Sequence, residues 1–309
     1  MKTGHLIVDG IDVYKEYGVY IVSGGYNGLL SFPPLKKVNQ NDWQEYDGID
    51  VDLSAPVLDT RDVSIKFAVR NFSGIFSFIH QLSDGAYHTF FCREIGRQYT
   101  LRLTQQPNLK NLRLLGHTTL KFADDFPMNN YSYREPVNGI ADDDNYKLDG
   151  TPFTKYGIYI LNGSIDEITK SAQVKTNLLR NIPTNHGVQY DDKNVTYKSK
   201  DIKLNCLMRA SSLRNLWHNY DSLLYDLVRP NEHMLWVGEV EQTFPFMYKS
   251  GQVSKFYSDG RIWLQFSLTL TITRSLRIIE LVLSSENGDI MILEDGETAI
   301  DLYKNDDIL

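Results

Sequence analysis

At 309 residues, with 42 per cent hydrophobic and 23 per cent charged, the chain has the length for two domains and the apolar content for a globular core in each half. Its formal charge of −7 and the lack of any basic stripe argue against nucleic acid as the main ligand. No apolar run reaches membrane-span length and Met1-Lys2-Thr3-Gly4-His5 opens no signal-like segment, so synthesis and retention in the cytoplasm until assembly are expected.

Aromatic residues make up 12 per cent of the chain, which favours β-rich structure over a tyrosine-rich binding surface, because many of them sit in alternating runs. The sequence also repeats. Tyr17-Gly18-Val19-Tyr20-Ile21 returns as Tyr156-Gly157-Ile158-Tyr159-Ile160, an offset of 139 (156 − 17). The same ungapped offset pairs Gly24 with Gly163, Gly48 with Gly187, Asp52 with Asp191, Asp62 with Asp201 and Arg70 with Arg209. Residues 17–70 share ten identities with 156–209. Chance would give roughly three or four at ordinary residue frequencies. An echo of this size implies two similar domains in tandem, an internal duplication.

In chain order, each repeat is expected to begin with a short strand, at 19–22 and 158–161. An alternating strand follows, with Val63, Ile65, Phe67 and Val69 on one face, and Ile202, Leu204, Cys206 and Met208 in the second repeat. A helix comes next. Leu213, Leu216, Trp217, Tyr220, Leu223, Leu224 and Leu227 form one apolar stripe, with Ser211 or Ser212 as cap and Pro230 beyond the end. The first repeat carries only Ile75, Phe78, Ile79 and Leu82, and a seven-residue change of offset predicts a second helix lengthened by about two turns. Strands at 90–92 and 99–103 flank Arg93-Glu94-Ile95-Gly96-Arg97, a hairpin turn, with counterparts at 235–237 and 244–248. Residues 120–122 match 264–266, inside a final strand through 272.

These elements predict a mainly β fold with a helix per domain: a first β-sandwich domain at 1–128, a linker at 129–150 and a second, duplicated sandwich at 151–275. The acidic tail at 276–309 contains Glu286-Asn287-Gly288 and Glu294-Asp295-Gly296, turn signals that predict a small β-ribbon.

Chemistry is sparse. The seven histidines are dispersed, and His88 and His233 hold matching positions at strand starts. Cys92 and Cys206 fall in strand-like runs and read as buried small hydrophobes rather than a disulfide or metal pair. Asp142-Asp143-Asp144 lacks the glycine and distal glutamate of a calcium loop, and Ser23-Gly24-Gly25-Tyr26-Asn27-Gly28 lacks the lysine of a phosphate loop. No catalytic, cofactor-binding or metal-binding residue is expected.

The run Thr60-Arg61-Asp62-Val63-Ser64-Ile65-Lys66-Phe67-Ala68-Val69, the short helix, the hairpin through 88–103 and Leu120-Lys121-Phe122-Ala123-Asp124-Asp125-Phe126-Pro127 together resemble the N-terminal domain of phage distal tail proteins. The resemblance spans residues 5–128. It implies a tail-tube-like β-sandwich with one helix that joins its neighbours into a ring around the tail channel. Residues 151–273 depart from that family, which often carries a lectin-like sandwich there. Tandem tube-like domains are instead similar to tail hub proteins, so a trimer and a hexamer both stay open.

The leading expectation is a non-enzymatic structural protein of a phage or prophage tail tip, a distal-tail or baseplate-hub virion component. It would form a homo-oligomeric ring with the tail tube and other tail-tip proteins as partners, and would need no membrane, cofactor or sequence-specific nucleic acid. The negative charge suits a channel through which DNA passes. A carbohydrate- or receptor-binding β-sandwich module is the alternative, and a hydrolase with an unrecognised carboxylate pair is a third reading.

Overall fold

A computed structural model of the chain describes residues 4–70, 72–105, 116–129, 131–137, 145–176, 181–189 and 195–274. The β-ribbon expected at 276–309 and the Asp142-Asp143-Asp144 run lie outside them.

In the first half, β1 (Leu6–Val8) and β2 (Ile11–Asp12) lead into helix α1 (Val13–Tyr17) and β3 (Val19–Ile21). A short helix α2 (Asn27–Leu30) opens a long excursion that holds the small ribbon β4 (Gln40–Asn41) and β5 (Asp50–Val51). Then come β6 (Arg61–Val69), α3 (Phe72–Leu82), β7 (His88–Cys92), β8 (Arg97–Gln105) and β9 (His117–Asp124). The second half has β10 (Tyr146–Leu148), β11 (Thr151–Pro152), a 3-10 turn (Phe153–Tyr156), β12 (Ile158–Ile160), α4 (Ser164–Thr169), β13 (Lys200–Ala210), α5 (Leu213–Leu227), β14 (His233–Val237), β15 (Gln242–Tyr257) and β16 (Ile262–Ile272).

The chain is mainly β, with few helices and curled antiparallel sheets. One seven-stranded sheet has the order β2-β1-β7-β8-β9-β6-β3, and the other has β11-β10-β14-β15-β16-β13-β12. Strand for strand the two orders are the same. The curl arises because β8 changes partner along its length: residues 97–101 pair with β7, and Arg102 onward pairs with β9. β15 does likewise, and its register shifts after Tyr248 and after Val253, bulges that let a 16-residue strand bend.

Alternation explains which faces are inside. Val63, Ile65 and Phe67 are buried while Asp62, Ser64 and Lys66 are exposed, and Ile202, Leu204, Cys206 and Met208 repeat the pattern on β13. Inward residues of both sheets and both long helices merge into one apolar cluster running from Leu6 to Ile272. Residues 1–275 accordingly form one compact unit.

Three features differ from the sequence expectation. A hairpin precedes the predicted first strand in each half, and in the second half it lies at Tyr146–Leu148 and Thr151–Pro152, overlapping the stretch read as linker. The helix is also lengthened less than expected. α3 has 11 residues and α5 has 15, a difference of four, which is about one turn rather than two and still keeps the buried face in phase. Two further residues are added before the helix: its starts are offset by 141 (213 − 72), against 139 in the preceding strand. Thirdly, the strand expected at 244–248 continues to Tyr257. As expected, Ser212 caps α5, its hydroxyl accepting from Asn215 N–H at 3.1 Å.

Each opening hairpin turns on Asp-Gly, with positive φ at both residues: 49° and 81° at Asp9-Gly10, 47° and 79° at Asp149-Gly150. That is the type I′ geometry that Asp-Gly favours. The aspartate does more than turn the chain. The His88 imidazole donates to Asp9 Oδ2 at 2.7 Å and Thr89 N–H to Oδ1 at 2.8 Å. In the second half His233 donates to Asp149 Oδ2 at 2.7 Å and Met234 N–H to Oδ1 at 2.8 Å. The two histidines therefore latch the opening hairpin to β7 and β14.

Burial raises the Asp149 carboxyl, but the His233 and Met234 bonds outweigh it and leave the group below the ordinary value of 3.8; Asp9 behaves alike. A depressed carboxyl stabilises the fold above the ordinary value, and the contribution fades as pH falls through the lower folded value. Asp149→Ala is expected to cost about 1–3 kcal/mol in urea unfolding at neutral pH. Its deficit should shrink in acid. A deficit unchanged between neutral pH and the acid limb would contradict the latch.

Candidate functional site

The richest constellation of polar and aromatic groups lies along the seam between the two halves. It is built from the excursion after α2, the 93–97 hairpin between β7 and β8, and one face of α5.

The excursion starts with a cation. Arg61 at the head of β6 donates from Nη1 to the Leu29 and Ser31 carbonyls at 2.9 and 2.8 Å, and from Nη2 to Asp124 Oδ2 at 2.6 Å. Lys200, its counterpart, donates to the Ile168 carbonyl at 2.5 Å and to the Lys170 carbonyl. Each side chain thus satisfies the free carbonyls at the end of α2 or α4.

Beyond that point the first-half excursion crosses onto the second half. Phe32 stacks on Tyr220 with ring centroids 4.1 Å apart and leans on Phe266 at 5.0 Å. Its ring occupies the space over Gly251, where an added Cβ would lie 2.9 Å from Phe32 Cβ. Tyr220 and Tyr248 hydroxyls donate to the Leu30 and Pro33 carbonyls at 3.0 and 2.7 Å. Further along, Lys175 Nζ donates to the carbonyls of Trp43, Tyr46 and Gly48 at 2.7, 2.8 and 2.7 Å and pairs with Asp42 at 2.5 Å.

At the other end of the seam the 93–97 hairpin meets α5. Trp217 Nε1 donates to the Ile95 carbonyl at 2.7 Å, and Arg97 pairs with Asp221 at 2.9 Å. The Arg97 guanidinium lies 4.9 Å from the Trp217 ring, a cation–π contact. Between these groups is a cavity of about 470 Å³ lined by Arg61, Arg97, Tyr99, Tyr131, Trp217 and Asp221, among others. The Tyr99 hydroxyl and Arg61 Nε are buried there without a hydrogen-bond partner among the described residues.

Burial dominates the electrostatics of this cleft. Burial pushes the Tyr99 phenol up to about 12, so it stays protonated at neutral pH. Burial also raises the Asp221 carboxyl, with Arg97 opposing the shift. Both acidic residues of the cleft are engaged by arginines, Asp124 by Arg61 and Asp221 by Arg97, so neither stands free as a general base. The arrangement offers the buried Tyr99 hydroxyl and Arg61 Nε as donors to a small polar group.

The residues singled out in the sequence lie elsewhere. His88 and His233 belong to the hairpin latches, one in each sheet. Cys92 and Cys206 are free and buried in separate halves, with burial raising the Cys92 thiol to about 11. The Gly-rich 23–28 stretch is a turn entering α2, and a Cβ at Gly28 would meet the Ser64 backbone at 2.6 Å. No group of three or more metal-ligating side chains occurs among the described residues. No helix of the described residues is long and apolar enough to cross a membrane. Sequence reading missed Phe32 and Lys175, because neither sits in a periodic run. Trp217 and Tyr220 were visible only as part of a helix stripe.

Lys175 gives the seam a direct test. Replacement by Met leaves three carbonyls of the 43–48 loop without their charged donor. A loss of about 3 kcal/mol or more is expected in urea unfolding, at about 1.5–3 kcal/mol per charged hydrogen bond with some recovered by water. The Gly48 amide, which donates to the Tyr197 carbonyl at 2.7 Å, should exchange with solvent faster. Unchanged stability and exchange would contradict a role for Lys175 in holding the loop.

No protein-family model and no curated protein matches the chain. Among solved structures it is similar to the crystal structure of the SPP1 Dit protein (gp 19.1), described as a paradigm of the hub adsorption apparatus in phages that infect Gram-positive bacteria. That similarity has 10 per cent identity and a TM-score of 0.27, and covers 86 per cent of this chain and 97 per cent of the other.

Proposed function

We propose that this protein is a structural component of a phage or prophage tail tip, a distal-tail or baseplate hub. It forms a homo-oligomeric ring around the tail channel and joins the tail tube to the tip. On this reading the two halves are an internal duplication of one tube-like sandwich, and the protein has no catalytic role. Its partners are further copies of itself, the tail tube and other tail-tip proteins in the virion.

The observation that carries the reading is the seam. It joins two units of identical strand order through unlike surfaces: the excursion and hairpin of one half seat on the helix face of the other. A heterologous contact between equivalent units propagates rather than ending as a pair, and it closes as a ring when the rotation permits. The sequence resemblance over residues 5–128 supports the same reading. Net negative charge is suited to a lumen that DNA traverses without sticking.

The second reading, a carbohydrate- or receptor-binding module, is favoured by the cleft and its Tyr99 hydroxyl, which has no hydrogen-bond partner among the described residues. Negative-stain microscopy of the purified full chain separates the two. Trimeric or hexameric rings with a central channel are expected. A strict monomer at high concentration that binds glycans would overturn the tail reading in favour of the second.

A further inference from the structure

We propose that the outward face of α3, centred on Phe72 and Phe76, is the docking surface for the 238–242 hairpin of a second copy of this chain. The inference rests on the ring reading above and adds to it the surfaces that meet.

Each half carries the same two devices, a knob and a face. The knob is the hairpin between the first two long strands of the curl: residues 93–97 in the first half and 238–242 in the second. Gly96 and Glu241 match in sequence order, and both have positive φ, 67° and 50°. The face is the outer side of the long helix. With the helix ends aligned at an offset of 145 (227 − 82), Ile75, Phe78, Ile79 and Leu82 fall on Tyr220, Leu223, Leu224 and Leu227, all of them buried. The same alignment puts Phe72 on Trp217 and Phe76 on Asp221.

Inside the chain, the first knob is seated on the second face. Ile95 at its tip is fully buried, and Trp217 beneath it is only 8 per cent exposed. This uses one knob and one face and leaves one of each. The leftover face shows Phe72 and Phe76, 46 and 48 per cent exposed, two large rings one helical turn apart. The leftover knob carries Val240 where the first carries Ile95, and Val240 is only partly buried.

The leftovers match in position, and at the site of the internal ion pair they are uncharged. The Asp221–Arg97 pair of the internal seam is replaced by Phe76 and Gln242, an apolar ring opposite a neutral amide. Two exposed phenylalanines would leave water when a neighbour docks, while Glu241 stands where Gly96 faces Leu213 in the internal seam, so the neighbour must seat with Glu239 and Glu241 at the solvent rim. A contact of this kind runs from one chain's second half to the next chain's first half, in the same order of hairpin on helix as within each chain.

The experiment uses the full chain in two broken forms. Phe72→Ser with Phe76→Asp spoils the face, and Val240→Asp spoils the knob, with Val240→Ser in its place if the aspartate variant does not melt like wild type. Size-exclusion chromatography with light scattering should show wild-type assemblies and only monomers for either variant alone. Mixing the two variants should give a one-to-one pair and nothing larger, because each retains the surface the other has lost. Phe76→Asp combined with Gln242→Arg rebuilds the internal Asp–Arg pair between chains and should restore assembly. If the face variant still assembles, or the mixture stays monomeric or grows beyond a pair while wild type assembles, this surface is wrong and the ring reading stands. A wild-type chain that never assembles overturns both.

Discussion

The structure depends on one insertion. Phe32 leaves the first half at the end of α2 and stacks on Tyr220 against Phe266 of the second, over a glycine that gives it room. Burying such a ring is worth about 1.5–3 kcal/mol, and it draws the rest of the excursion after it. Once Phe32 is seated, the Leu30 and Pro33 carbonyls lie in reach of the Tyr220 and Tyr248 hydroxyls, and residues 43–48 in reach of Lys175. The two sheets then share one apolar cluster, and the 93–97 hairpin is held against α5.

The halves are alike where each sheet must fold and unlike where they meet. Both use an Asp-Gly turn latched by histidine, both fix a short helix end with a cation, and both anchor a tyrosine to the long helix. Tyr17 donates to Gln81 at 2.7 Å, and Tyr156 to Asp226 at 2.5 Å. Differences gather on the seam: Phe32 answers to Ser171, Ile95 to Val240 and Phe72 to Trp217. Folding constrains the first set in either half, whereas the second set depends on which neighbour each surface has.

Much of the sheet was legible in the sequence, since alternation at 63–69 and 202–208 reports a half-buried strand directly. The apolar stripe and Ser212 likewise announced α5. The opening hairpins were missed because β2 and β11 have two residues each, too few for a period to show, although Asp9-Gly10 and Asp149-Gly150 carried a turn signal. The helix extension was overread because a change of offset does not say how it divides between a helix and the turn before it. The seam was the least legible part. Phe32, Lys175 and the carbonyls they meet are brought together by tertiary packing alone, and no local pattern marks a lysine that will be buried under a distant loop.

The central claim is that the insertion makes the two halves one cooperative body. Native-state hydrogen exchange in increasing denaturant tests it most directly, because the slowest amides of β6 and β13 report each sheet separately. The account predicts that both sets converge on one isotherm with the same free energy and the same denaturant slope. Two isotherms, with one sheet opening while the other stays protected, would contradict it.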